Sequence, residues 1–559
     1  MSVAVAPPPM TEEEIRLLHP TYLGPTWMTR EDGSWHLPER TIGWQIAGWC
    51  AEYLLAEDGG PWRFTPEQLR FILWWYAVDE DGRFIHRTGV LQRMKGWGKD
   101  PLLAVMCLVE LVGPSRFDRW ATADDVKKGR AAKAGDPVGK AHPQAWVQVT
   151  AVNQSQTTNT MALIPSLMSD HFKHTYKIKE GAILIRANGG RQRLEAVTSS
   201  YRALEGKRTT FTLLNETHHW VSGNNGHKMY ETIDGNATKK DSRYLAITNA
   251  YLPGEDSVAE RMRLAYEKIV EGKAADVGFM YDSLEAHPKT PLTAEALRIV
   301  LPLIRGDAVW LNVETIIKSI HNTTLSVARS RRMWLNQVVA DEDALYGPEQ
   351  WKPLEVEGAL LKPGDEIAIG FDGGKTDDAT ALVAIRVTDM VAFNLGVWEK
   401  PDGPQGDDWQ VPRHAVDSAV HDTFRVFNVR GFYADVALWE SYITEWEEAY
   451  GEGLGVKAGE KSVIAWDMRG SQQRSTRAHE RLMASIFDGK LHHDGDITLR
   501  RHVLNAHRRV NNYGVSFGKA SEERKIDAYA ALMLAHEALH DLRTRGRKVK
   551  PKTKRGYFL

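Results

Sequence analysis

The chain has 559 residues, 42% hydrophobic and 26% charged, with a formal net charge of −2. That length exceeds what one hydrophobic core sustains, so two or more domains of ordinary globular composition are expected. No apolar run nears the roughly 18 residues of a membrane span, the start MSVAVAPPPMTEEE lacks the pattern of a signal peptide, and two cysteines, Cys50 and Cys107, argue against a disulfide framework or a cysteine metal site. The expected setting is a reducing cytoplasm. The net charge does not point to nucleic acid, but the tail from Arg543 to Arg555, RTRGRKVKPKTKR, is basic without an acid. It reads equally as a solvated terminus or as an arm for DNA or a partner.

Residues 1–49 read as an irregular lead-in passing into helix. Apolar residues recur at helical spacing from Trp44 to Leu55 and from Pro66 to Ala77. Arg87–Arg93, RTGVLQR, is a short strand, and Pro101–Val112, PLLAVMCLVELV, a buried helix with proline in its first turn. Lys127–Pro143 looks like an exposed loop. Trp146–Val152, Phe211–Glu216 and Tyr244–Ala250 are strand-like, and strands alternating with helices predict a parallel α/β sheet. That pattern closes near a helix around Arg331–Gln337. KPGD at 362–365 marks a turn and a boundary, so 346–364 is expected to be a linker. A second α/β pattern follows, EIAIGF, ATALVAIRV, VAFNLGVW and GFYADV, ending in a helix over Glu522–Leu539 with Ser521 as its cap.

The segment RMKGWGKDPLLA follows a strand and opens a helix, where backbone amides and the helix N-terminus can cradle a phosphate. Gly96, Gly98 and Lys99 are the candidate cradle, with Lys99 reaching the β- and γ-phosphates. Two positions depart from the usual pattern: Arg93 stands where glycine is expected, and Asp100 where serine or threonine is. Taken alone, the segment also reads as a basic strand-to-helix turn. The strand FTLLNE ends in Asn215 and Glu216, where a motor places a metal-side acid and then a water-activating one. Glu216 fits the second role, and asparagine replaces the first acid. Asp100 and Asn215 together suggest a carboxylate that has changed sides around magnesium, or else Asp100 caps the helix. Thr248 and Asn249, ending YLAITNA, are placed to sense the γ-phosphate.

These segments resemble the ATPase domain of phage large terminase subunits, notably those of phages infecting actinobacteria, and the resemblance runs over nearly the whole chain. It implies an adenine-contacting role for Gln68 in WRFTPEQLRFIL and a phosphate-loop role for Lys95, with Arg208 a weaker γ-phosphate candidate. ATP with Mg²⁺ is the implied cofactor.

In the second half, Asp372 ends one strand, Asp435 ends another and Asp527 lies on the last helix. A charge closing an apolar strand is costly unless it has a task, although surface solvation is the default for any single acid. Hard divalent cations take oxygen ligands, and two such ions serve phosphodiester cleavage. The arrangement resembles the RNase H-like nuclease domain of large terminases, which assigns Asp372, Asp435 and Asp527 as ligands for two Mg²⁺ or Mn²⁺, with Asp378 auxiliary. HHDGD, VLNAHRR and Lys519 resemble segments that approach DNA; His492 and His493 read equally as surface residues or ligands.

The expected fold is thus α/β, with an N-terminal P-loop ATPase domain over 50–345 on a parallel-sheet core, an RNase H-like nuclease domain over 365–545 and a basic tail over 546–559. The resemblance implies double-stranded viral DNA, a small terminase subunit and a procapsid portal as partners, oligomerisation on the portal, no membrane, and a place in the host cytoplasm outside the mature virion. Two other readings stay open: a recombination or transposition nuclease with a non-catalytic N-terminal half, and an assembly component with both sites decayed.

Overall fold

The computed structural model describes residues 16–129, 131–198, 204–240, 242–374, 378–401, 406, 408–521 and 524–545. The basic tail beyond Arg545 and the acids Glu522 and Glu523 lie outside them. The chain divides into two compact units, Met1–Leu252 with Asp256–Val339, and Pro253–Glu255 with Ala340–Leu559.

The first unit is built on an eight-stranded sheet. In chain order its strands are β1 (Thr21–Leu23), β2 (Thr88–Gln92), β5 (Trp146–Ala151), β6 (Leu184–Ala187), β7 (Gln192–Thr198), β8 (Phe211–Leu214), β9 (Arg243–Thr248) and β10 (Phe279–Glu285); β3 (Arg116–Trp120) and β4 (Pro137–Lys140) form a separate ribbon. The order is β1-β10-β2-β9-β8-β5-β7-β6, with β10 through β7 parallel and the two edge strands antiparallel. The helices used below are α1 (Gly43–Tyr53), α2 (Pro66–Trp75), α3 (Lys99–Val112), α4 (Gln154–Leu167), α5 (Ala294–Arg305), α6 (Val313–Ile320) and α7 (Val327–Trp334). Side chains alternate across the strands: Leu91, Leu213 and Leu245 enter one core with α3, while Val90, Leu214 and Ala246 enter another on the opposite face. A sheet covered on both faces explains the near-continuous apolar strands.

Three expectations are corrected here. Thr21–Leu23, within the presumed irregular lead-in, pairs with β10 as an edge strand. Lys127–Pro143 is not all loop, since Pro137–Lys140 pairs with Arg116–Trp120. β6 and β7 also join the sheet from the stretch between predicted strands, and β10 from a segment where no strand was predicted; each carries polar or charged residues that blur the strand pattern.

The second unit holds β11 (Glu366–Asp372), β12 (Thr380–Arg386), β13 (Val391–Trp398), β14 (Asn428–Asp435), β15 (Ala465–Trp466) and β16 (His492–His493), a hairpin of β17 (Ala506–Asn511) and β18 (Gly514–Lys519), and α8 (Arg413–Val426), α9 (Glu440–Tyr450), α10 (Gln472–Phe487), α11 (Ile497–Leu504) and α12 (Asp527–Arg545). The sheet order is β15-β14-β11-β12-β13-β16. β11, β12 and β13 are antiparallel in sequence, and β14 returns parallel to β11 with β15 parallel beyond it. This is a second α/β sheet of mixed strand direction, as the pattern after residue 365 predicted. α12 begins at Asp527 rather than Glu522. Residues 346–364 are not a free linker: Tyr346, Trp351 and Leu354 are buried in the core under α12.

Candidate nucleotide and metal sites

The candidate phosphate loop leaves β2 in the middle of the first sheet, where parallel strands end together. Gly96 (φ 79°) and Gly98 (φ 95°) take left-handed backbone that only glycine adopts without strain. Gly98 caps α3 with no side-chain hydrogen bond, so Asp100 is not the cap; it occupies the second position of the first turn, the register of the usual hydroxyl residue. Lys99 is 8% exposed. Its Nζ donates to the carbonyls of Arg93 (3.0 Å) and Met94 (2.9 Å) and to Asn249 Oδ1 (2.7 Å). Burial brings its amine down to about 8, against the opposing pull of Asp100 and Glu216. Burial raises the Asp100 carboxyl, Lys99 opposing and Glu216 adding to the rise.

Arg93 explains the degraded pattern. It is fully buried, paired with Glu67 Oε1 at 2.8 Å and with Asp282, and also donates to the Asp282 carbonyl at 3.0 Å. A side chain here ties the foot of the loop to α2 and β10. Gln68, the third residue of α2, accepts from Thr65 N–H at 3.1 Å in a capping box, and its Nε2 would stand 3.8 Å from a Cβ at Gly98. The Lys95 side chain is exposed, while its N–H donates to Met333 O at 2.8 Å.

β9 separates β2 from β8, so Thr248 and Asn249 lie between the loop and Glu216. Glu216 has left-handed backbone (φ 52°), and its Oε2 accepts from Gln156 Nε2 at 2.8 Å. Asn215 is turned toward α4: its Nδ2 donates to Gln156 O (3.3 Å) and Thr160 Oγ1 (3.2 Å), while its Oδ1 is buried without a partner. Arg208 precedes β8, at the opposite end of the parallel sheet from the loop, so it does not face a γ-phosphate. Sequence reasoning missed His218 and His219. Among the described residues they and Glu216 stand close enough to share one ion, with ligand atoms within 4.8 Å. The Thr248 hydroxyl donates to Asn249 O at 2.7 Å, so His218 Nδ1, 3.1 Å away, is the donor to it. Burial holds His218 neutral, well below its ordinary range.

In the second unit, strand parity assembles the acids. Ala368 and Tyr433 face the core under α12, and two-residue periodicity puts Gly370, Asp372 and Asp435 on that face. Phe371 pairs with Ala434, so Asp372 and Asp435 end neighbouring parallel strands. Gly370 lets α12 lie directly on β11, since a Cβ there would meet Ala531 O at 2.0 Å and Ala535 N at 2.4 Å. Asp527 is one turn before Ala531 on the same stripe. Burial holds the Asp372 carboxyl well above its usual range, and the charges of Asp527, Asp435 and Asp378 add to it. Burial also raises Asp435, against a hydrogen bond from Met468 N–H at 3.1 Å. Among the described residues, the three aspartates do not form a group whose ligand atoms all lie within 4.8 Å of one another. Their donors are all carboxylate oxygens, and Asp527 Oδ2 is buried without a partner, which suits a hard divalent cation.

Asp378 is exposed and pairs with Lys519 and, at 3.8 Å, with Lys525. Lys519 thereby sits among the acids. His493 is not a ligand: its ring stacks on Trp351 at 4.2 Å, and its nitrogens meet Trp351 O and Gly495 N–H at 3.0 Å each. His492, half-buried beside it in β16, is likewise remote in the sheet order from β11 and β14. His502 was overlooked in the sequence. Its Nδ1 accepts from Ala528 N–H at 2.9 Å, fixing the start of α12 beside Asp527, and its Nε2 meets Glu399 at 2.5 Å. Burial opposes ionisation of Glu399, but His502 and Arg501 bring its carboxyl down to about 2.

No family model matches the chain. It is 16% identical to the large terminase of bacteriophage HK97, covering 89% of this chain and 100% of that one, with a TM-score of 0.48, a likeness too slight to inform function. It is 40% identical to the Gene 13 protein of Mycobacterium phage L5, over 93% of this chain and 95% of that protein. With the Gene 13 protein of Mycobacterium phage D29 the identity is 39% over the same shares. At that identity and coverage, the chain belongs to the phage protein family of these Gene 13 proteins.

Proposed function

We propose that the chain is a large terminase subunit, which uses ATP to drive viral double-stranded DNA into procapsids and cuts the DNA concatemer with a metal-dependent nuclease. One observation carries the reading. Lys99, Asn249 and Glu216 follow the C-terminal ends of neighbouring central strands in the first unit, and Asp372, Asp435 and Asp527 lie together on the α12 side of the sheet in the second.

In the first unit, the amides of Gly96–Lys99 and the Lys99 ammonium hold the phosphates of Mg·ATP and stabilise charge at the transferred phosphoryl. Glu216 takes the proton of the water that attacks the γ-phosphorus as the bond to the bridging oxygen breaks. Asn249 anchors Lys99, and Thr248 orients His218. Gln68 and Lys95 border the same cradle, and Asp100 stands in the register of the usual magnesium-side hydroxyl. In the second unit, Asp372, Asp435 and Asp527, with Asp378 auxiliary, would hold two Mg²⁺ or Mn²⁺, which supply Lewis-acid activation of water and of the leaving oxygen. His502 holds the start of α12, and Lys519 balances the carboxylates.

Double-stranded DNA, a small terminase subunit and a procapsid portal are the partners in this reading. The chain oligomerises on the portal in the host cytoplasm and leaves before the virion matures. No helix among the described residues is long and apolar enough to cross a membrane. The test is a paired assay on the purified full chain. DNA-stimulated ATP hydrolysis and Mg²⁺- or Mn²⁺-dependent plasmid cleavage are both expected. Cleavage without any ATP turnover would favour a recombination-type nuclease, and loss of both would contradict the reading.

A further inference from the structure

Trp310 lies in the short connection between α5 and α6 and is 54% exposed. A single exposed aromatic needs no explanation by itself; this one is tethered. Its Nε1 donates to the carbonyl of Gly96 at 2.9 Å. Arg305 Nη1 fixes the connection by donating to Leu311 O at 2.6 Å. Asp307 Oδ2 accepts from Glu67 N–H at 2.7 Å, in the first turn of α2, the helix that carries Gln68. Glu67 in turn pairs with Arg93 at the foot of the phosphate loop.

These ties bring three groups to one place. A Cβ at Gly98 would lie 3.0 Å from Trp310 Cζ2, 3.6 Å from its Cη2 and 3.8 Å from Gln68 Nε2. The absence of a side chain at Gly98 therefore lets an aromatic ring and an amide donor both close on the same point of the loop. Thr65 N–H engages Gln68 Oε1, so the Nε2 donor is the end left toward Gly98. An aromatic plane with a hydrogen-bond donor at its edge, beside a phosphate cradle, matches a nucleobase that carries an acceptor ring nitrogen, as N7 of a purine does.

We infer that Trp310 is the base-stacking wall of the nucleotide site, so that the chain grips the base of a purine nucleoside triphosphate between Trp310 and Gln68. This rests on the nucleotide-site reading above, and the test separates the two. Binding of Mg·ATP and of inorganic triphosphate to the full chain is measured by calorimetry, for the wild type, Trp310→Ala, Trp310→Phe and Lys99→Ala. Loss of one base–aromatic stack is expected to weaken Mg·ATP binding by about tenfold or more. Inorganic triphosphate should bind Trp310→Ala and wild type alike, and Trp310→Phe should recover most of the ATP affinity. Lys99→Ala should weaken both ligands. If Trp310→Ala weakens ATP and triphosphate equally, or neither, the stacking assignment is overturned while the cradle stands. If the wild type binds neither ligand, the cradle reading falls and this inference falls with it.

Discussion

Replacing Gly370 by alanine tests how Asp372 and Asp527 are brought together. The added Cβ would lie 2.0 Å from Ala531 O and 2.4 Å from Ala535 N, both backbone atoms of α12. Ordinary carbon contacts begin near 3.5 Å, so the helix must lift by about an ångström or more. No rotamer change relieves the clash, because neither partner is a side chain. Overpacking of this kind costs about 1–3 kcal/mol, and the backbone partners place Gly370→Ala at the upper end. For a unit of this size each kcal/mol lowers Tm by about 2–4 °C, giving an expected fall of about 6–12 °C in the second unit. Gly431→Ala is the control: its Cβ would meet Val456 Cγ2 at 3.1 Å and Ala538 Cβ at 3.3 Å, a shortfall of only a few tenths of an ångström. Asp527 rides on the displaced helix while Asp372 stays on β11, so plasmid cleavage should fall further than stability, with ATP turnover unchanged. Calorimetric unfolding and plasmid nicking are the assays. A Gly370→Ala chain as stable and as active in cleavage as Gly431→Ala would refute the reasoning.

Arg93→Gly restores the usual loop pattern yet should destabilise the first unit by about 3–5 kcal/mol, because it leaves buried Glu67 and Asp282 without their partner; an unchanged unfolding transition would contradict this. Asp100→Ser is expected to depress Mg·ATP turnover, and adding Asn215→Asp to restore much of it. If the second change adds nothing, Asn215 serves only to brace α4. Burial brings His536 down to about 4, so its neutral form is favoured on folding. Its contribution is complete above the ordinary histidine value of 6.5 and is lost as pH falls from there through 4, about 3 kcal/mol in all. His536→Gln should flatten that part of the pH–stability curve, and parallel curves would count against it.

Much of this was legible because periodicity carries burial. The strands bearing Asp372 and Asp435 are apolar on both faces, and the step of two residues put both acids on the side where α12 lies. The turn from β2 into α3 was legible from Gly98 and Lys99 despite Arg93, since glycines between an apolar strand and a buried helix mark where the chain must turn. Other features depended on long-range partners. Arg93 looked like a defect until Glu67 and Asp282 met it. Trp351 made a core from a supposed linker, and His502 reached Ala528 across the sequence. Arg208 preceded the right strand but at the wrong end, which only the parallel register reveals. The start of α12 was misjudged because a serine followed by two acids imitates a cap.

The most direct test of two separate engines in one chain is the crossed pair Lys99→Ala and Asp527→Ala, each assayed for ATP hydrolysis and for Mn²⁺-dependent plasmid cleavage. Lys99→Ala should lose turnover and still cut, and Asp527→Ala should hydrolyse ATP at the wild-type rate and fail to cut. Loss of both activities in either variant, or of neither, would contradict the assignment of the two sites.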